Sequence, residues 1–223
     1  MSGGLARASV FGVSDGLVSN MALILGFAGS GVDNGVVRLA GLAGAVAGAI
    51  SMGAGEWVSV TSQNDLIKRE VEVERREIEL NPRHETEELS QAFQQQGMTP
   101  DHAAEAAADI MSEPEIALSV HTRRELGVNT DLLPSAVRAA VLSVVCFLSG
   151  AVIPLVPWFV GTGSGAAWAS LLLGTATAII VGGIVARFAD RPIWFGSLRQ
   201  VTIVLVACSI TYAIGELANV NLS

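Results

Sequence analysis

DLIKREVEVERREIEL, residues 65–80, is the stretch on which the reading of this chain turns. It follows an apolar segment directly and contains no Gly or Pro, so nothing breaks a helix before Asn81-Pro82. An apolar helix opening near Val36 and leaving its apolar part near Thr61 is therefore expected to run on and end in a polar half. Glu70, Glu74 and Glu77 recur at i, i+4 and i+7 and share one face, with Glu72 and Glu79 on a neighbouring one.

The charge of the chain is concentrated around this stretch. Between Asp65 and Glu125 stand 15 acids and 7 bases, which is the whole formal charge of −8; elsewhere 6 acids balance 6 bases. All three histidines, His84, His102 and His121, lie in the same region. Only 15% of the 223 residues are charged, against about 25% in a soluble domain. Mean hydropathy is +0.52. This is the composition of a polytopic membrane protein carrying one acidic insert. The absence of a basic balance excludes a nucleic-acid partner. Cys146 and Cys208 both fall inside apolar segments and read as buried thiols, with no disulfide framework.

Five apolar segments can be laid out, from about Ala8 to Gly29, Val36 to Thr61, Leu133 to Val160, Ala166 to Ala186 and Ile193 to Leu217. Each reaches the roughly 20 residues that a spanning helix needs. The first is interrupted by Asp15-Gly16 and is long, so it reads as a retained helix and not a signal peptide. The expected organisation is all-α: spans 1 and 2 in residues 1–62, an acidic helical domain in 63–128, and spans 3 to 5 in 129–223. Arg7, the Lys68–Arg76 bases and Arg187, Arg191 and Arg199 place the N-terminus, the insert and the fourth loop in the cytoplasm. Gly12-xxx-Gly16 and Gly44-xxx-Gly48 predict close helix packing, within a subunit or across a dimer. Pro154 and Pro157 predict a kink or an end in the third span.

Inside the insert, punctuation predicts a small three-helix unit. A helix is expected from about Glu85 to Gln95, stopped by Gly97. Thr99-Pro100-Asp101 reads as N-cap, first-turn Pro and first-turn acid. Ser112 and Glu115 have the spacing of a capping box for a further restart. Gly127 reads as a C-terminal stop, and Asp131-Leu132-Leu133-Pro134 leads into the third span.

Three groups of residues could carry chemistry. Asp15 is a carboxylate within a spanning segment, where a charge costs about 2.5–3.5 kcal/mol on insertion scales and usually faces a partner or an ion path. Met52 and Glu56 lie one turn apart on the second span and share a face; a thioether with carboxylates suits a borderline transition metal better than magnesium or calcium. In the insert, Glu70, Glu74 and Glu77 on one face, Glu72 and Glu79 on a neighbouring one, Glu85 with Glu88 on the next helix, and Glu125 with His121 one turn before it have the pattern by which helical bundles build metal sites. The same acids would also form a solvated face paired with Arg75 and Arg76. No nucleophile elbow, phosphate loop or paired zinc-ligand spacing is present, so the chain does not read as an enzyme and calls for no prosthetic group.

Several stretches, in order along the chain, carry a family likeness: Asp15-Gly16-Leu17, Gly48-Ala-Ile-Ser-Met-Gly-Ala-Gly-Glu-Trp-Val-Ser-Val60, Lys68-Arg-Glu-Val-Glu-Val-Glu-Arg-Arg-Glu-Ile78, Pro82, Glu85 with Glu88, Arg124-Glu-Leu-Gly127 and Leu155-Val-Pro157. With these the sequence resembles the vacuolar iron transporter family, which includes plant nodulin-like and bacterial members. The resemblance implies a five-helix homodimer in lipid that exchanges cytoplasmic Fe²⁺ for protons. It implies a path between subunits lined by Asp15 and Met52, and metal capture by Glu74, Glu77, Glu85, Glu88 and Glu125. It also implies a plasma (inner) membrane location in a bacterium, or a vacuolar one in a eukaryote.

Two departures stand out. Some members have Met one turn before the last Glu, where this chain has His121, a harder and pH-responsive ligand. Some carry an acid in the second span where this chain has Gly44, which leaves Glu56 as the alternative acid. Transport of Mn²⁺ or of a broad set of divalent ions including Zn²⁺, and a membrane protein that stores metal without moving it, are the competing expectations.

Overall fold

The computed structural model describes residues 3–127 and 133–222; Asp131 and Leu132 of the expected lead-in lie outside them. The described residues form helices joined by short turns, with no strand among them: α1 (Gly3–Gly29), α2 (Asn34–Leu80), α3 (Pro82–Gln95), α4 (Pro100–Met111), α5 (Pro114–Leu126), α6 (Ala136–Val152), α7 (Pro157–Val160), α8 (Gly163–Phe188) and α9 (Ile193–Leu222). Five of these, α1, α2, α6, α8 and α9, are long and apolar enough to cross a membrane. The segments ending at Trp57 and beginning at Ala136 make one compact unit, and Val58–Ser135 make a second.

The membrane unit is organised on α1, the most buried of the five candidate spans at 44%, against 17% for α9. It packs against α6, α8 and α9. Glycine sets the spacing. A Cβ at Gly16 would collide with the Phe147 carbonyl, and one at Gly150 with the Val13 carbonyl, so α1 and α6 meet backbone to backbone. Gly26 with Gly215, and Gly182 with Gly196, do the same for α1–α9 and α8–α9. Gly12 faces Cys146 and Gly48 faces the Phe147 ring, so glycines of both GxxxG motifs pack within the chain. Leu17, Met21 and Leu25 of α1 then close an apolar core with Ala178, Val204 and Cys208.

The third span does not continue to Val160. It stops at Val152, passes through a 3₁₀ turn at Ile153–Leu155 and restarts as the short α7. Pro154 and Pro157 have no N–H to give, so the ladder of α6 cannot be maintained there. In hydrocarbon the freed carbonyls need other donors. Asn20 Nδ2 of α1 donates to the Ala151 carbonyl at 2.7 Å, and Ser170 Oγ of α8 donates to the Pro154 carbonyl at 2.5 Å. Both side chains are buried.

In the second unit, α2 continues unbroken to Leu80, as its Gly- and Pro-free sequence requires. Pro82, Pro100 and Pro114 each sit at the start of the next helix, and Gly127 ends α5 in the left-handed region at φ 64°. The capping box at Ser112 is not formed. Pro114 takes the first helical position, which makes Glu113 the cap; Ser112 closes α4 instead, its Oγ donating to the Asp109 carbonyl at 2.6 Å. Glu115 pairs with Arg75 at 3.0 Å. Asn64 Nδ2 donates to the Pro134 carbonyl at 2.9 Å, tying the chain that leaves the unit to α2.

Replacing Asn20 by Leu should leave the Ala151 carbonyl unpartnered in an apolar layer. The expected loss is about 1–3 kcal/mol, read as a lowered unfolding midpoint of the purified protein in detergent.

Candidate metal centre

Three elements meet at the acidic face of α2. Glu74 comes from α2, Glu85 from the first turn of α3 and His121 from α5. Asn81-Pro82 turns the chain sharply enough to set α3 beside the helix it left. The Asn81 side chain donates back to Glu77 at 2.9 Å.

Glu74, Glu85 and His121 are 9%, 5% and 1% exposed. Each offers a ligand atom, and the three atoms lie within 4.8 Å of one another. His121 Nδ1 stands 2.9 Å from Glu74 Oε1 and 3.5 Å from Glu85 Oε2. The shorter approach is not a hydrogen bond: Glu74 Oε1 and both ring nitrogens of His121 are buried without a hydrogen-bond partner. A buried polar atom without a partner is costly, and a divalent cation would satisfy the Glu74 oxygen together with one ring nitrogen of His121.

The charge balance points the same way. Burial, then the neighbouring Glu125 and Glu85, push the Glu74 carboxyl up to about 7. A side-chain hydrogen bond with Glu125 adds to this, as does the charge of Glu88. Glu85 is also raised, chiefly by burial and by Glu88, with His121 and His84 opposing. Carboxyls held toward the neutral form by one another are relieved by a cation.

His84, Glu85 and Glu88 form a second group with ligand atoms within 4.8 Å. Glu85 belongs to both groups. Glu88 also lies 3.9 Å from Arg124 Nη1.

The family model described as the VIT family matches residues 6–216. The chain belongs to the VIT family. The VIT family's members are transporters and not enzymes. A "Vacuolar iron transporter" of Acanthamoeba castellanii is 33% identical over 219 residues, 96% of this chain and 79% of the relative. "Vacuolar iron transporter 1" of rice, Oryza sativa subsp. japonica, is 29% identical over 216 residues, 96% of this chain and 86% of the relative. The Arabidopsis thaliana protein of that name is 32% identical over 157 residues, 70% of this chain and 63% of the relative.

In this VIT family chain the insert residues named from sequence do not all meet. Glu74, Glu85 and His121 converge, Glu88 joins through Glu85, and Glu125 reaches Glu74. Glu77 is exposed and held by Asn81. His84 was not among the residues singled out; its signal was spacing, since His84 and Glu88 are one helical turn apart. In the membrane unit, Asp15 is exposed on α1 while the adjacent Gly16 is buried against α6. Met52 is half-buried against the cluster of Ala45, Ala49, Phe147 and Ala151, and Glu56 is half-buried one turn on.

A folded-state carboxyl raised above its ordinary value contributes stability at low pH, and that contribution is lost as pH rises through the raised value. In chelator, the unfolding midpoint of the whole protein should therefore fall between about pH 5 and pH 8, and Glu74→Gln should flatten that fall. Thermal unfolding across a pH series checks both.

Proposed function

We propose that this chain exports divalent metal, Fe²⁺ foremost, from the cytoplasm in exchange for protons, working as a homodimer. The observation that carries the reading is the buried convergence of Glu74, Glu85 and His121 with unpartnered ligand atoms. The names of its VIT family relatives supply the ion. Two carboxylates and an imidazole are a donor set for first-row divalent ions, so Mn²⁺ and Zn²⁺ are the competing substrates.

In this reading the N-terminus and the insert of residues 63–128 face the cytoplasm. Glu74, Glu85 and His121, with Glu88 and Glu125 beside them, take up the ion and raise its concentration near the path. Metal and proton compete for the same carboxylates. With Glu74 near neutrality, a modest change of pH shifts that competition in either direction. Asp15 and Met52 then line the path between subunits, with Glu56 as a further acid. Support for an interfacial path comes from the exposure of Asp15 on a single subunit, since a carboxylate in a span is stable only against a partner or a polar passage.

The test is Fe²⁺ uptake into proteoliposomes under an imposed pH gradient. Asp15→Ala and Met52→Ala should each lower the maximal rate at least tenfold. Glu74→Gln with His121→Ala should raise the half-saturating Fe²⁺ concentration with a smaller effect on the maximal rate. Wild-type transport by both path variants would remove the proposed path, and flux indifferent to the pH gradient would remove the antiport. Preferential Mn²⁺ flux in competition would displace iron as the substrate.

A further inference from the structure

A groove of about 500 Å³ lies between α8 and α9 at the end of the membrane unit where α8 finishes. Ile179, Ile180 and Ile184 of α8 and Ile193 of α9 form its walls, and Gly183 and Ser197 lie along it. Its mouth holds Arg187 and Phe188. The loop between the helices is short. Asp190 adopts the left-handed region at φ 48°, and the Arg191 N–H donates to the Ala186 carbonyl at 2.9 Å. Arg191 is thereby held in the turn that Arg187 leads into. Both arginines are exposed. Asp190 is the acid nearest in sequence, and Arg187 reaches it only at 3.9 Å with both side chains largely in solvent.

The bases here stand out against the rest of the chain. Residues 187–199 contain Arg187, Arg191 and Arg199 against Asp190, a local net of +2 in a protein of net −8. Phe188 and Trp194 beside them are 83% and 67% exposed. Exposed aromatics next to bases at the end of a span mark the level of the lipid headgroups. The larger cavity of the unit, about 720 Å³, opens at the other end of α8, beside Ser164 and Trp168. Asp33 is the only charged residue in its lining. The two hollows thus differ in lining and in charge: Asp33, Asn34, Ser164 and Ser209 line the larger, whereas the α8–α9 groove is apolar beside its arginine.

We infer that the α8–α9 groove is a seat for one anionic phospholipid, its phosphate on Arg187 and Arg191 and an acyl chain along the isoleucine wall. Basic mouths over apolar grooves between spanning helices suit that chemistry. A zwitterionic lipid offers the same phosphate, but its ammonium is repelled by the two arginines, so its headgroup gains less than that of a net anionic lipid. A free phosphate gains the arginines but not the wall.

Native mass spectrometry of the full-length, delipidated protein titrated with phosphatidylglycerol, phosphatidylcholine or glycerol phosphate tests this. Phosphatidylglycerol should bind as one tight equivalent, phosphatidylcholine clearly more weakly, and glycerol phosphate not at all. The double variant Arg187→Gln, Arg191→Gln should lower phosphatidylglycerol affinity about thirtyfold. Arg187→Lys with Arg191→Lys should keep most of it, and Arg69→Gln, which removes an exposed base elsewhere, should leave it unchanged. Equal binding of the two phospholipids, tight binding of glycerol phosphate alone, an unaffected double-Gln variant, or crosslinks showing a second copy seated in the groove would each overturn the assignment.

Discussion

The membrane unit depends on how closely α1 can approach its neighbours. Where Gly16 faces the Phe147 carbonyl and Gly150 the Val13 carbonyl the two backbones touch, and a side chain at either position would drive a carbonyl away. Lipid offers no hydrophobic drive to hold helices together, so the contact rests on dispersion and on the fit of small residues. With α1 in contact with α6 on one side and α9 on another, its side chains sort themselves. Leu17, Met21 and Leu25 go inward, Asn20 reaches the broken end of α6, and Asp15 is left on the exposed side. The position of the one acid in the first span thus follows from the glycine beside it.

The insert has a different logic. Its helices are small and most of their buried apolar residues are alanines, Ala92, Ala103, Ala107 and Ala117, so apolar packing there is thin. Glu74, Glu85 and His121 nevertheless occupy buried positions. Carboxyls that repel one another, beside an imidazole with no hydrogen-bond partner, are a poor way to stabilise a fold and a good way to hold a cation.

Features set by neighbours in the chain were legible in the sequence. The unbroken α2 followed from the absence of Gly and Pro between Gly55 and Pro82, and the start of α4 followed from Thr99-Pro100. Gly127 ended α5 where a left-handed residue was needed. The capping box failed because a proline two residues on outranks a serine: Pro114 can stand only at the helix start, which moves the cap to Glu113. Features set by distant partners were not legible. Asn20 and Ala151 are 131 residues apart, and nothing local announces their hydrogen bond. The glycine motifs were visible, but not which helix each would meet. Among the insert acids, periodicity put Glu74 and Glu77 on one face, yet Glu74 faces His121 while Glu77 is exposed and accepts from Asn81.

The break in α6 bears on the order in which the chain is assembled. Its two carbonyls are satisfied from opposite directions in sequence, by Asn20, made long before, and by Ser170, made after. When α6 first enters the bilayer, α1 is already there to meet the Ala151 carbonyl. The Pro154 carbonyl must wait for the next long span. An intermediate with three spans inserted therefore carries an exposed dipole at the end of the third. Arrival of α8 brings the Ser170 hydroxyl that removes it, so the fourth span completes the polar end of the third.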